Sequence, residues 1–163
     1  MSVSIREFRP GDEAAFRTLN EAWIIAHFQL EEKDRATLGD PQHYILDPGG
    51  HIYFAINDAT EEIVGCCALQ PMDRGTFEVA KMAVVEGQRK RGIGRQLLRG
   101  VIAAARALGA TRLYLETNHT LENAITLYRS EGFRHLSPSD VKPSPYARAT
   151  VFMEQYIEPW PSS

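Results

Sequence analysis

The stretch MAVVEGQRKRGIGR, residues 82–95, decides the fold, because a strand pattern passes through a glycine-rich basic turn into a helix pattern. The start of a helix presents unpaired N–H groups and a partial positive charge, and Gly92 and Gly94 let a ligand approach the backbone closely. The cationic residues that crowd this turn are Arg89, Lys90, Arg91, Arg95 and Arg99. The segment predicts an anion site that fits a pyrophosphate. The alternative interpretation is a solvated basic loop that only begins a helix.

The common nucleotide-binding loops do not match this turn. A dinucleotide fingerprint needs G-x-G-x-x-G, a nucleoside triphosphate loop needs G-K followed by Ser or Thr, and residues 82–95 contain neither. The strand before the turn also follows a predicted hairpin, whereas a dinucleotide site opens a β-α-β repeat.

The elements on either side of the turn follow from hydrophobic spacing. Apolar residues at helical spacing predict one long helix, and they are Ile93, Leu97, Val101, Ala105 and Leu108. The strand at 113–115 follows a crossover, so it should lie parallel to the strand before the helix. Upstream, 51–57 and 63–69 read as a hairpin, and 77–85 should pair antiparallel with it.

The ends of the chain complete one α/β domain, residues 1–163. A strand over 3–8 precedes a helix capped by Asp12, with a predicted buried stripe of Ala15, Leu19, Ala22, Trp23, Ala26 and Leu30. A second helix covers 31–38. A shorter helix over 121–128, a short strand over 133–136 and a final strand over 149–157 close the chain. The order β-α-α-β-β-β-α-β-α-β-β predicts a mixed, mostly antiparallel sheet with helices on both faces.

Composition excludes several classes of function. The 163 residues carry 18 basic and 21 acidic side chains, and the net charge of −3 argues against nucleic-acid binding by a bulk positive field. No apolar stretch is long enough for a membrane span, and the first ten residues are too charged for a signal peptide. Cys66 and Cys67 are adjacent and have no zinc spacing. We therefore expect a cytoplasmic protein without a metal.

Two motifs resemble the GNAT superfamily of N-acetyltransferases. Residues 89–94, RKRGIG, resemble its acetyl-CoA signature Q/R-x-x-G-x-G/A, and residues 123–133, NAITLYRSEGF, resemble its segment N-A-x-x-L-Y-x-x-x-G-F. With the element order, the resemblance covers essentially the whole chain. It implies a GNAT-like fold and acetyl-CoA as co-substrate.

The resemblance also implies which residues contact the cofactor. The loop would wrap the pyrophosphate, the strand at 82–84 would pair with the pantetheine arm, and a backbone N–H near Val84 would meet the thioester oxygen. The implied set is Met82, Ala83, Val84, Arg89, Lys90, Arg91, Gly92, Ile93, Gly94, Arg95 and Asn123. Asn123 could equally cap its helix together with Asn118.

Two side chains fit the proton transfers of amine acetylation. Glu78 lies at the offset from Gly92 at which several family members carry a strand glutamate as base, and Tyr128 matches the tyrosine that protonates the departing thiolate. Glu78 could instead pair with Lys81 or Arg74, and Tyr128 could be a core aromatic. A covalent acetyl-cysteine on Cys66 or Cys67 is a further alternative to packing.

The acceptor would be gripped by the first two helices and the loop before the last strand. The candidates there are Trp23, Phe28, Tyr146 and Arg148. Acidic residues Glu31, Glu32 and Asp34 would suit a cationic amine, whereas Arg148 would suit an α-carboxylate. Solvated helix faces and a strand-edge salt bridge are the structural alternatives.

We therefore predict an acetyl-CoA-dependent N-acetyltransferase that acts by direct attack in a ternary complex. Its acceptor would be a small-molecule or protein amine, without nucleic acid or membrane as partner, and the family resemblance allows a homodimer. The runner-up is a non-catalytic acyl-CoA sensor. A small basic-loop nucleic-acid binder is the third interpretation.

Overall fold

The computed structural model describes residues 2–87 and 92–161. The strands are β1 (Val3–Glu7), β2 (His51–Asn57), β3 (Ile63–Pro71), β4 (Thr76–Val84), β5 (Arg112–Thr117), β6 (Arg134–Leu136) and β7 (Val151–Tyr156). The helices are α1 (Glu13–His27), α2 (Glu32–Gly39), α3 (Ile93–Ala107) and α4 (Glu122–Ser130). This order confirms the predicted one. No helix in the described ranges is long and apolar enough to cross a membrane.

The strands form one seven-stranded sheet in the order β1-β2-β3-β4-β5-β7-β6. Neighbouring strands are antiparallel except β4 and β5, which are parallel and joined through α3. A parallel pair needs such a crossover, because a tight turn can only return the chain antiparallel. The mixed, mostly antiparallel sheet is thereby confirmed.

Helices cover both faces of the sheet. On one face α3 buries the predicted stripe Ile93, Leu97, Val101 and Ala105, together with Leu98. On the other face, Phe16 and Ile24 of α1 and Leu38 of α2 pack against Ile52 and Phe54 of β2. Successive residues of a strand point to opposite faces, so the central strands supply side chains to both cores.

The buried face of α1 differs from the predicted stripe. The structure buries Phe16, Asn20 and Ile24, whereas Ala22 and Ala26 are exposed. Large apolar side chains gain more from burial than alanines, so they determine which way the helix turns. Asn20 is satisfied there, because its Nδ2 donates to the Phe16 carbonyl at 2.9 Å and to Cys66 Sγ at 3.3 Å.

Asp12 precedes α1 but does not cap it. Its carboxylate accepts hydrogen bonds from Arg6 Nη1 and from the Arg9 backbone N–H, each at 2.7 Å, and makes no capping bond to the helix. The Arg6 hydrogen bond lowers the pKa of Asp12, against the effect of its partial burial. Asp12 therefore ties the end of β1 to the start of α1.

Candidate active site

A cavity of about 240 Å³ lies where β4 and β5 part. These strands pair only from Thr76 to Glu78, after which β4 stays with β3 and β5 pairs with β7 alone. Residues from α1, α2, β4, β5, α4 and the loop before β7 line the cavity. They include Asn20, Trp23, Phe28, Lys33, Glu78, Lys81, Met82, Glu116, Asn118, Leu121, Tyr128, Tyr146 and Arg148. β4 and β5 therefore splay apart at the cavity.

A bulge in β4 lies along this cavity. Ala80 pairs with Ala68 and Ala83 pairs with Cys66, so Lys81 and Met82 together oppose the single residue Cys67. Lys81 takes the left-handed conformation, with φ of 54°. This conformation costs a residue with a side chain roughly 1–2 kcal/mol. A bulge re-aims the side chains around it, and here those side chains face the cavity.

Two buried thiols contact the carbonyls of the bulge. Cys66 Sγ donates to the Lys81 carbonyl at 3.6 Å, and Cys67 Sγ donates to the Ala80 carbonyl at 3.7 Å. Both cysteines are wholly buried, because the sheet is covered on both faces. Burial raises the pKa of Cys66 to about 12 and that of Cys67 further. Protonated, enclosed thiols are poor nucleophiles, which argues against an acetyl-cysteine route.

Glu78 lies at the last position where β4 pairs with β5, and it lines the cavity. Burial, and next the nearby carboxylate of Glu116, raise its pKa to about 7, against the opposing effect of Lys33 and Lys81. Glu116 is itself fixed, because it accepts hydrogen bonds from Tyr114 Oη at 2.9 Å and Ser144 Oγ at 2.6 Å. Glu78 is therefore poised to gain or lose a proton near neutral pH.

Tyr128 approaches the same cavity from α4. Its ring packs edge-on against Phe133 with the centroids 6.0 Å apart. Burial raises the pKa of its hydroxyl well above the usual value, so the group stays protonated at neutral pH. The cavity thus brings together a carboxyl group that can accept a proton and a phenol that can donate one.

A buried ion cluster lies along one side of the cavity. We name it the Asp34 cluster, and it consists of Asp34, Lys81, Tyr146 and Arg148. Asp34 accepts from Lys81 Nζ at 2.6 Å and from both terminal nitrogens of Arg148 at 2.7 Å. Its burial would raise its pKa, but these bonds outweigh that effect and lower the pKa well below the usual range.

The aromatic ring of Tyr146 contacts both cations of the cluster. Lys81 Nζ and Arg148 Cζ are each 4.6 Å from the ring centroid, and Lys81 Nζ also donates to Tyr146 Oη at 3.0 Å. The sequence does not predict this cluster, because there Asp34 is one of the acidic residues that would suit a cationic amine. In the fold this carboxylate is fully buried and neutralised by two cations.

The predicted acceptor residues meet at this cavity, but one is already engaged. Trp23, Phe28, Tyr146 and Arg148 all line it. The fork of the Arg148 guanidinium is filled by Asp34, with a longer contact of 3.2 Å to Glu31. Arg148 therefore holds a carboxylate of its own chain at the place where a substrate carboxylate was considered.

The first turn of α3 adjoins the cavity and fits a phosphate group. Gly92 precedes the helix with φ of 75°, and the first helical bond runs from the Gln96 N–H to the Gly92 carbonyl. The N–H groups at 93–95 precede that bond and have no partner within the helix. A Cβ added at Gly94 would lie 3.6 Å from Met82 Cε, and Met82 lines the cavity.

The other residues that were predicted to contact the cofactor do not share one location. Arg89, Lys90 and Arg91 lie outside the described residues. The Ile93 and Ala83 side chains are buried in the two cores, Val84 is half-buried, and Asn123 is exposed on α4 outside the cavity lining. Arg95 and Arg99 are held by Glu131, each at 2.7 Å. Among the described side chains, no His, Cys, Asp and Glu group of three or more could hold a metal ion.

Comparisons with known proteins agree with this geometry. The model of the acetyltransferase (GNAT) family matches residues 13–133. An uncharacterised N-acetyltransferase of Escherichia coli K12 is 28% identical over 120 residues, which cover 69% of this chain and 71% of that protein.

Two solved structures share the whole fold. A GNAT-family acetyltransferase of Staphylococcus aureus Mu50 has a TM-score of 0.83 at 24% identity, covering 95% of this chain and 99% of that one. A GNAT-family acetyltransferase of Elizabethkingia anophelis, solved with acetyl-CoA bound, has a TM-score of 0.63 at 25% identity and covers 95% of this chain and 98% of that one.

Proposed function

The chain belongs to the GNAT family of acetyltransferases, and we propose that it transfers an acetyl group from acetyl-CoA to a primary amine by direct attack in a ternary complex. One observation carries the proposal: Glu78 and Tyr128 come from different elements and line a single cavity where β4 and β5 part. Amine acetylation needs an acceptor for the proton of the amine and a donor for the departing thiolate.

Acetyl-CoA would supply the activated acetyl group as a thioester. The unpaired N–H groups at the start of α3 would bind phosphate oxygens, because a helix N-terminus favours negative charge. Arg89, Lys90 and Arg91 would add positive charge there. Met82 and Val84 would flank the cofactor along β4.

Glu78 would remove the proton from the acceptor amine. A primary amine with a pKa of about 10 is mostly protonated at neutral pH, so attack requires that a proton leave. A base works best when its pKa is near the working pH, and the pKa of Glu78 is about 7. Tyr128 stays protonated in the same range, so it can donate its proton to the departing thiolate.

The acceptor would bind among Trp23, Phe28 and Tyr146. These side chains give an aromatic wall on the α1 and β7 sides of the cavity. Arg148 would contribute through Asp34 rather than by binding a substrate carboxylate, because its guanidinium is already paired. This arrangement favours a small-molecule or protein amine whose bound part carries no carboxylate.

The first prediction separates the enzyme from the acyl-CoA sensor. Across a panel of primary amines, the protein should release free thiol from acetyl-CoA with at least one amine, above the rate without amine. The measurement is a thiol colour assay with acetyl-CoA in excess. Tight acetyl-CoA binding without amine-dependent release would support the sensor instead.

The second prediction concerns the cofactor. Binding to the folded state alone stabilises a protein by ~2.7 kcal/mol at one hundred times the dissociation constant. At this size ~1 kcal/mol raises Tm by roughly 2–4 °C. Saturating CoA should therefore raise Tm measurably, and Gly94→Asp should lose most of the rise, because it brings negative charge to the phosphate site.

Gly94→Ala is the matched control for that variant. Its Cβ would lie 3.6 Å from Leu127 Cδ2 and Met82 Cε, which is ordinary contact. The alanine variant should keep more of the Tm rise than the aspartate variant does. Equal losses in both variants would show that volume rather than charge matters at this position, and no rise in the wild type would remove the cofactor assignment.

A further inference from the structure

Lys81 occupies a backbone conformation that lysine does not favour by itself. Its φ of 54° lies in the left-handed region, inside a strand that is otherwise regular. A residue with a side chain persists in this region only where its surroundings hold it. A contact of the Lys81 side chain or backbone must therefore stabilise this conformation.

The strongest contact of Lys81 is a buried ion pair with α2. Lys81 Nζ lies 2.6 Å from Asp34 Oδ1, and the two side chains are 7% and 0% exposed. Asp34 is fixed in turn, because it also accepts the Glu31 backbone N–H at 2.9 Å and both terminal nitrogens of Arg148. A rigid carboxylate therefore anchors the lysine of the bulge.

The bulge lies between two residues that face the cavity. Glu78 precedes Lys81 by three residues and Met82 follows it directly. Glu78 lies in regular pairing before the bulge and Met82 lies in it, and side chains alternate between the faces of a strand, so loss of the extra residue would exchange the face of Met82 relative to that of Glu78. The conformation of Lys81 therefore decides how the side chains of Glu78 and Met82 are placed relative to each other along the cavity.

We propose that Asp34 is a positioning residue that holds the β4 bulge through Lys81 and thereby keeps Glu78 and Met82 directed at the cavity. The catalytic consequence rests on the function proposed above for Glu78. The structural part, in which Asp34 fixes the bulge, can be measured without any activity.

A double-mutant cycle tests the route through Lys81. Glycine adopts a left-handed φ without strain, so Lys81→Gly keeps the bulge without help from Asp34, whereas Lys81→Ala does not. Asp34→Asn should lower kcat by roughly 10- to 100-fold, the scale of a misplacement of about 1 Å in an active site. In the Lys81→Gly background the same change should have a several-fold smaller effect.

The pH profile separates the charge of Lys81 from its backbone. Glu78 is faced by Glu116 from β5, Lys33 from α2 and Lys81 from its own strand. Because the Lys81 cation favours ionised Glu78, both Lys81 variants should move the acidic limb of kcat to higher pH. Only Lys81→Ala should also lower the plateau strongly. Asp34→Asn leaves the lysine in place, so it should lower the plateau of kcat with a smaller upward shift than either Lys81 variant, although loss of its partner lowers the pKa of the buried Lys81 ammonium further.

Glu31→Gln is the matched control. The Glu31 side chain contacts Arg148 and accepts the backbone N–H groups of Ala147 and Asp34, and it makes no hydrogen bond or ion pair with Lys81 within residues 2–87 and 92–161. Glutamine keeps an acceptor oxygen for both backbone N–H groups and loses only the charge toward Arg148, so kcat should fall by much less than in Asp34→Asn. A loss as large as that of Asp34→Asn would assign the effect to the Arg148 loop and overturn the proposal.

Amide hydrogen exchange gives the readout that does not depend on turnover. Asp34→Asn should speed exchange across 79–83 of β4 by at least about tenfold relative to α3, and Lys81→Gly should suppress this difference. This result would stand even if no amine were acetylated, in which case only the proposed function would fail. Equal protection of β4 in the wild type and in folded Asp34→Asn would overturn the proposal. A double-mutant cycle in which Asp34→Asn lowers kcat equally with and without Lys81→Gly would overturn it as well. Uniformly faster exchange in every element would do so too, because it would assign Asp34 to global stability.

Discussion

Glu78→Gln should lower kcat by roughly 10²–10⁴ at neutral pH, the range that general bases contribute. Glutamine keeps the shape of the side chain but cannot accept the proton of the amine. CoA affinity, measured by the rise in Tm, should stay within a few-fold. A variant with nearly wild-type turnover between pH 6 and 9 would leave Glu78 a structural residue of β4.

The pH dependence of turnover also tests whether Glu78 is the base, and the direction of the expected change is definite. A base must be ionised, so wild-type turnover should rise with pH through about 7 and then level off, following the pKa of Glu78. The glutamine variant should lack this limb, and its deficit should shrink at high pH, where more of the amine is already neutral. Glu116→Gln removes a carboxylate that raises the pKa of Glu78, so it should move the wild-type limb to lower pH.

Tyr128→Phe should lower turnover by roughly 10²–10³ if the phenol protonates the leaving thiolate. The ring and its packing on Phe133 remain. Within the described residues nothing hydrogen-bonds the Tyr128 hydroxyl, so the free energy of unfolding should fall by no more than about 1 kcal/mol. Turnover per folded molecule and the stability in urea should be measured together.

Tyr156→Phe is the control for the loss of a tyrosine hydroxyl. Tyr156 ends β7 and is 67% exposed, and it does not line the cavity. Its phenylalanine variant should keep both turnover and stability. If Tyr128→Phe loses stability but keeps turnover, Tyr128 is a core aromatic and another group must supply the proton.

The parts of the fold with strong periodicity were predictable from sequence. The stripe of α3 is wide and apolar, and the glycines after β4 and α3 mark where each element ends, so the crossover and the parallel pair followed. The convergence of Glu78 and Tyr128 on one cavity could be expected from their motifs, although the residues lie 50 positions apart. Their roles remain predictions.

The features that the sequence did not predict depend on tertiary packing. For α1, spacing alone predicted a stripe that included Ala22 and Ala26, but the large side chains of Phe16 and Ile24 determined the buried face. Nothing local marks Lys81 as left-handed, because glycine is the usual residue there. Its pairing with Asp34, 47 residues away, exists only because α2 lies against β4. A charged residue within a predicted strand gives no indication of a partner so far away in the sequence.

The two thiols behind the bulge determine how this protein ages. Oxidants attack exposed thiolates, and the Cys66 and Cys67 thiols are protonated and enclosed by both layers of helices. The reaction of these thiols with peroxide should therefore depend on local opening of the sheet. An oxidised Cys66 would then no longer fit between Asn20 and the Lys81 carbonyl. Oxidation of these thiols should therefore follow opening of the central strands, and its rate should report how often those strands separate.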